Sequence, residues 1–181
     1  MRPERPDRAA REGRRDRPST LLELRERTPE QWRSEAQARA IDLLSRREHS
    51  PQELRNKLQS KGFPEDAVID VMEALQRDGL LSSERFVEAR LRQGLRQGHG
   101  PRRIRQRLRE AGVDPAQLQH ALEAHDEDVD WLAQAREACD KRFGSEAPAD
   151  AREWARRARF LQGRGFDEAV IRKLLGRCPR P

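Results

Sequence analysis

One helix-ending unit recurs three times along this chain and constrains the fold more than any other feature. Leu58-Gln59-Ser60-Lys61-Gly62-Phe63, Leu108-Arg109-Glu110-Ala111-Gly112-Val113 and Leu161-Gln162-Gly163-Arg164-Gly165-Phe166 share one form: Leu, three residues, Gly, then an apolar residue. The closing glycines stand 50 and 53 residues apart. A Gly just past a helix supplies left-handed backbone, and the apolar residue after it packs back on the last turn. Self-similarity at this period predicts a repeat array instead of one mixed core. An array of helical modules presents surface and does not usually build a catalytic pocket.

Composition agrees with thin helical layers. Of 181 residues, 39% are charged and only 34% hydrophobic, and the mean hydropathy is −1.08. Such a chain suits helices that each keep a solvated face. Aromatics make up 4%, Tyr is absent, and no runs rich in Val, Ile and Thr read as strands, so the predicted class is all-α. No apolar stretch approaches the ~20 residues that span a bilayer. Met1 to Pro18 is Arg-rich and lacks the apolar segment of a secretory signal. Cys139 and Cys178 stand far apart and outside metal-ligand spacing, as expected of a reduced protein of the cytoplasm.

Residues 1–28 read as a disordered Arg- and Pro-rich extension, too poor in apolar surface to offset ordering entropy. Within it, Leu21, Leu22 and Leu24 offer at most a short amphipathic turn. Thr28-Pro29-Glu30-Gln31 is an N-cap, a Pro at N1 and a Gln at N3, so the first helix starts there. Ser50-Pro51-Gln52-Glu53 reads as a capping box for the second, and Asp78-Gly79-Leu80 closes the third. Repeat 2 follows at an offset of 50: Pro51 matches Pro101, Leu54 Ile104, Leu58 Leu108, Gly62 Gly112. Asp114-Pro115-Ala116-Gln117 announces its third helix. In repeat 3, Asp167 reads as the cap of the last helix, and Arg157 stands where the siblings place Leu54 and Ile104. The expected organisation is nine helices in three units, over 29–81, 82–125 and 126–181.

Charge is distributed unevenly. The net charge is +6, with an isoelectric point near 10.2. Residues 84–112 hold nine Arg against three Glu, whereas 114–130 hold six acids and no Lys or Arg. In Arg96-Gln97-Gly98-His99-Gly100-Pro101-Arg102-Arg103-Ile104-Arg105-Gln106-Arg107-Leu108-Arg109, a helix starting at Pro101 turns Ile104, Leu108 and Ala111 inward. Arg102, Arg105 and Arg109 then share another face, flanked by Arg103 and Arg107. Basic residues at a helix start oppose the macrodipole at ~0.3–1 kcal/mol each, which suggests an anionic partner. The two glycines bare backbone N–H groups there, a seat for phosphate or carboxylate. A solvated Arg face neutralised by the acidic stretch 123–130 is the plainer alternative. Nucleic acid and an acidic protein groove both remain open as partners, because Arg serves both.

No other constellation carries chemistry. The four His (49, 99, 120, 125) have no metal-ligand spacing. Asp126-Glu127-Asp128 with Asp130 lacks the Gly and spacing of a calcium loop. No phosphate loop or nucleophile triad is present, so no cofactor, metal or enzymatic activity is expected. Trp32, Trp131 and Trp154 read as core anchors before base-stacking platforms.

Ala40-Ile41-Asp42-Leu43-Leu44-Ser45-Arg46-Arg47-Glu48-His49-Ser50 with Glu53-Leu54, Lys57-Leu58 and Gly62-Phe63 resembles the opening of the RecX family of recombination regulators. Asp78-Gly79-Leu80-Leu81 with Glu84-Arg85-Phe86, and Gly98-His99-Gly100-Pro101-Arg102-Arg103-Ile104, are similar to its next signatures. The likeness spans about residues 36–177, with Pro64 standing where the later units have Asp114 and Asp167. It implies an elongated array of three tandem three-helix repeats that lies along the RecA filament groove. It also implies inhibition of RecA's ATPase and strand exchange, acting on recombination and the SOS response. Arg92, Arg96, Arg102, Arg103, Arg105, Arg107 and Arg109 are the expected contact set for RecA or for DNA phosphates. The competing reading is an independent helical DNA-binding module, without sequence specificity because only Gln106 on that helix suits base readout. No heptad seam or unpaired apolar face is evident, so a monomer is expected.

Overall fold

In the computed structural model, residues 27–116, 119 and 129–178 are described, and all regular structure among them is helical. Helices α1 (Pro29–Arg46), α2 (Pro51–Gln59) and α3 (Glu65–Arg77) form the first unit. The second contains α4 (Ser83–Arg96) and α5 (Pro101–Glu110), and the third α6 (Trp131–Phe143), α7 (Ala151–Gly163) and α8 (Glu168–Leu175). Of the helix expected after Asp114, only Pro115, Ala116 and Gln119 are described. The rest of it, His120, His125, most of the acidic stretch, and the N-terminal extension with its leucine turn lie outside the described residues. No helix among the described residues is long and apolar enough to cross a membrane.

The start signals act as written at Thr28 and in part at Ser50. Thr28 and Gln31 make a reciprocal capping box, with Thr28 N donating to Gln31 Oε1 (2.8 Å) and Gln31 N to Thr28 Oγ1 (3.3 Å). Ser82 caps α4 and Asp150 caps α7 through Arg85 N and Glu153 N. Ser50 accepts from Glu53 N (3.0 Å), but the reciprocal half of the expected box is missing. Salt bridges to Arg47 and Arg90 occupy the Glu53 carboxylate instead. Pro64 starts α3 with no side-chain cap bond.

The recurring glycines close three helices in the same way. Gly62, Gly112 and Gly165 have φ of 86°, 73° and 89°, values that cost a non-Gly residue about 1–2 kcal/mol. Behind each, the apolar residue's N–H reaches back to the leucine carbonyl: Phe63 to Leu58 (3.4 Å), Val113 to Leu108 (3.2 Å) and Phe166 to Leu161 (3.1 Å). These are Schellman-type closures, which satisfy carbonyls that the helix leaves orphaned.

Three separate cores result. The first gathers Ala36, Ala40, Leu54, Leu58, Val68, Val71, Met72, Leu75 and Leu81. The second holds Phe86, Val87, Leu91, Ile104, Leu108 and Val113; the third holds Ala135, Ala138, Cys139, Leu161, Phe166 and Ile171. Burying one such Leu stabilises by roughly 1.5–3 kcal/mol, and no core is large, so the contacts between units matter. Trp131 packs against both the second and third cores. None of the three tryptophans is fully buried; Trp32 meets Phe63 edge to face at 6.0 Å, and Trp154 Nε1 donates to Gly176 O (3.2 Å).

Arg157 shows how the third unit differs. It is 4% exposed, where the siblings bury an aliphatic side chain. Its guanidinium pairs with Glu153 Oε1 (2.7 Å) and donates to Glu146 O (2.6 Å). A buried Arg is tolerated because both ends of its charge are met, and the bond to Glu146 ties the longer loop before α7 to the core.

The units meet helix end to helix end. Ser50 Oγ, at the start of α2, donates to Ala111 O at the end of α5. At the start of α5, Gly100 N donates to Arg164 O (2.8 Å) and Arg102 N to Gly165 O (3.1 Å), at the end of α7. Gly112 and Gly165 are therefore docking surfaces as well as caps. A Cβ on Gly165 would stand 2.4 Å from Arg103 N, and one on Gly112 2.6 Å from Gln52 Cβ, but one on Gly62 would meet nothing within 4 Å. Gly62→Ala is expected to cost only the left-handed strain of about 1–2 kcal/mol. Gly165→Ala should add a further ~1–3 kcal/mol of overpacking against backbone. Gly100 has an ordinary φ of −81°, yet its Cβ would lie 2.5 Å from Gly165 C and O, so Gly100→Ala isolates the packing cost. Chemical denaturation of the three variants should rank Gly62→Ala as the mildest.

Candidate functional site

The bare amides at the start of α5 are not an anion seat. Besides the two bonds to α7, Gly98 N and His99 N donate to Leu95 O (2.9 Å) and Gly94 O (3.0 Å). The sequence expectation is corrected on physical grounds: orphan N–H groups at a helix start donate to carbonyls as readily as to phosphate, and the carboxyl end of α7 supplies them. The same junction accounts for Arg102 and Arg103. They lie at the positive end of α5 but also at the negative end of α7, where cations are favoured. Arg103 Nη1 donates to Gly163 O (2.9 Å), and Arg102 forms a salt bridge with Asp167. Asp167 makes no side-chain cap bond to α8; its carboxylate is turned to the joint.

The seven arginines singled out in sequence do not form one face. Arg92 pairs with Glu88 on its own helix (2.9 Å). Arg96 is exposed at the end of α4, beside Lys141 and Arg142 of the third unit. Arg102 turns toward Asp167 and the surface around Trp154. Arg105 is half-buried and Arg109 exposed. Arg103 and Arg107 are brought together, one turn apart on α5. They line a hollow of about 670 Å³ with Gln97, His99, Phe160 and Gly163 and with Arg159 and Arg164 of the third unit.

This hollow is strongly positive, and no acidic side chain among the described residues lines it. Arg107 Nη1 donates to Gln97 Oε1 (2.9 Å), and Arg164 Nη1 donates to Gln97 O, so Gln97 is held from both units. Arg164 also lies over the Phe160 ring at 4.9 Å. Farther along, Phe143 meets Phe160 edge to face at 5.3 Å, and Arg142 and Arg156 lie 5.6 and 5.1 Å from the Phe143 centroid. Arginines and half-buried aromatic rings thus alternate from α5 across to α6 and α7.

The first joint handles charge differently. There Arg85 pairs with Glu48 (2.9 Å), Arg90 with Glu53 (2.9 Å) and Arg47 with Glu53 (2.8 Å). Burial pushes the Glu53 carboxyl up, but the Arg47 hydrogen bond and the Arg47 and Arg90 charges outweigh it and hold the group below its usual range. At the repeat offset of 50, Glu53 corresponds to Arg103. That position therefore carries opposite charge at the two joints.

A histidine is buried at each joint. His49 is 1% and His99 7% exposed; His49 Nδ1 lies 3.3 Å from Glu53 Oε2, while His99 Nδ1 has no hydrogen-bond partner among the described residues. Burial, followed by the charges of Arg107, Arg103 and Arg164, lowers His99 from the ordinary 6.5 to about 4. Burial, then Arg47 and Lys57, also lowers His49, against the pull of Glu53. Both rings are neutral near pH 7.

Arg159 and Arg164 were not among the residues the sequence pointed to. Their signal was present, since α7 carries Arg152, Arg156, Arg157 and Arg159 against Glu153 alone. It was masked because the basic run in the second unit is denser, and because the joint that unites the two is a tertiary contact.

A histidine with a depressed pKa is protonated first in the unfolded chain. Its contribution is complete above the unfolded value and is lost as pH falls toward the folded one. Wild type should therefore lose stability relative to His99→Gln as pH falls from 6.5 to about 4, read as a narrowing gap in thermal midpoint.

Three family models match in order: the first three-helix domain of RecX at residues 36–75, the second at 84–122 and the third at 128–175. A regulatory protein RecX of Acidithiobacillus ferrooxidans is 48% identical over 105 residues, which cover 58% of this chain and 65% of that relative, just under two thirds of its length. One of Halorhodospira halophila is 47% identical over 112 residues, covering 62% of this chain and 68% of its own. A crystal structure of a regulatory protein RecX shares the fold at a TM-score of 0.67 and 21% identity, covering 81% of this chain and 72% of that one. With all three domain models matched in sequence order over most of its length, the chain belongs to the RecX family.

Proposed function

We propose that this protein binds the RecA nucleoprotein filament in the cytoplasm and modulates, mainly by inhibition, its ATPase and strand-exchange activities. Recombination, DNA repair and the SOS response would be regulated through that contact, without catalysis by the protein itself. The observation that carries this reading is the second joint, where arginines of two units line one hollow that no acidic side chain among the described residues shares. Positive charge left unneutralised inside a fold is destabilising unless a partner meets it, and a filament offers both DNA phosphate and acidic protein surface. The membership in a family of regulatory proteins named RecX supports the same conclusion.

An array of three small cores also suits a filament mechanically. Each unit presents its own outer surface at fixed spacing, so weak contacts to successive protomers add by multivalency. In this reading Arg103 and Arg107 belong to the principal contact surface, with Arg96 at its margin. Arg92 and Arg102 contribute less, since each already has an acidic partner within the chain.

Titrating the full chain into RecA on single-stranded DNA should lower the ATP hydrolysis rate by more than half at saturation. An unchanged rate, with tight binding to naked DNA in the absence of RecA, would instead establish an independent DNA-binding module.

A further inference from the structure

We propose that the hollow at the second joint seats the phosphodiester backbone of a single nucleic-acid strand, gripped by Arg103 and Arg107 from one unit and Arg159 and Arg164 from the next. The proposal deepens the filament reading and rests on it for the source of the strand. Four guanidinium groups from two units line one concavity that no acid among the described residues shares. Planar forked donors match the oxygens of phosphate. The sequence position that carries Glu53 in the first unit carries Arg103 here, so the positive surplus is specific to this joint. His99 underlies the hollow as a buried, neutral ring with an unpartnered Nδ1.

The surroundings favour a nucleic-acid strand over an acidic peptide. Phe160 lines the hollow and carries the Arg164 guanidinium on its face at 4.9 Å. Phe143 continues the aromatic edge at 5.3 Å, with Arg156 beside it. Bases splayed from a single strand stack on such rings and on Arg planes, while the basic groove follows the backbone. A purely acidic peptide gains nothing from the rings, which pack with apolar or aromatic groups. A duplex keeps its bases stacked inside and offers no base face to the rings.

Arg107 and Arg159 suit mutagenesis because neither donates to backbone across the joint, unlike Arg103 and Arg164. The probe is fluorescein-labelled oligo(dT), bound to the full chain across a salt series. For Arg107→Gln/Arg159→Gln, affinity should fall about ten-fold and the salt slope should become shallower by about 1.4, or ~0.7 for each phosphate no longer neutralised. Arg107→Lys/Arg159→Lys should recover the slope. The control Lys61→Gln/Arg77→Gln, with the same loss of charge on exposed sites of the first unit, should leave it unchanged. An equal slope for wild type and Arg107→Gln/Arg159→Gln overturns the proposal. So does hexaglutamate that displaces the oligonucleotide and depends equally on Arg107 and Arg159, which would make the hollow an acidic-peptide site. RecA ATPase on single-stranded DNA, measured with the same proteins, separates the two readings. If wild type leaves RecA unaffected while the oligo(dT) results hold, the filament reading fails and the seat stands. If wild type inhibits and Arg107→Gln/Arg159→Gln both inhibits and binds oligo(dT) as wild type does, the seat fails and the filament reading stands.

Discussion

The structure depends on one kind of contact, the carbonyl end of one unit's second helix against the amide end of the previous unit's second helix. At the α7–α5 junction it comprises two backbone bonds, Arg164 O to Gly100 N and Gly165 O to Arg102 N, supported by Arg103 on Gly163 O. At the α5–α2 junction the Ser50 hydroxyl bonds to Ala111 O. Each contact satisfies a carbonyl that the closing helix would otherwise leave open, and sets opposite ends of two macrodipoles together. Separate small cores can then form one array, since the joints fix what the cores leave free. The close approach requires Gly at 100 and 165, where any Cβ would enter the other backbone. Gly62, with nothing docked on it, shows the cap without the joint.

Equivalent joints need not have identical charge. The first joint surrounds Glu53 with Arg47 and Arg90 and neutralises itself. The second places Arg103 at the matching position and brings Arg159 and Arg164 alongside Arg107. A repeat architecture thus separates scaffold from surface: the glycine closures and buried histidines recur, while the charged positions around them differ. The difference between the repeats lies at a joint where two units contribute to one surface, and the proposed function rests on that difference.

The features visible in sequence are those set by local hydrogen bonding. The Leu-x₃-Gly-apolar closures, the Thr28–Gln31 box and the inward stripe of Ile104 and Leu108 each need only neighbours within two turns. What escaped was tertiary. Gly98-His99-Gly100 looks like an anion seat because an orphan amide has the same sequence signature whether water, phosphate or a carbonyl fills it. Asp167 has the position of a cap, but Arg102 arrives from another unit and takes its carboxylate. Ser50 and Glu53 resemble a box until Arg90, 37 positions later, draws the glutamate away. Arg157 breaks the apolar pattern only because Glu146 and Glu153 meet it inside the fold.

The double use of Arg103 and Arg164 gives the second joint a further property. Each donates one nitrogen across the joint, to Gly163 O and Gln97 O, and each also lines the basic hollow. A guanidinium has five N–H donors, so holding the joint and holding an anion are compatible, and the geometry of one constrains the other. In the proposed seat, an anion between the two units would interact with both at once and favour the inter-unit angle at which all four guanidinium groups converge. By linkage, whatever fixes that angle strengthens anion binding by the same factor. A rigid filament that holds the units at its own spacing would therefore tune the affinity of the hollow. Placing the basic site at a joint, instead of on the face of a single unit, is what makes such coupling available.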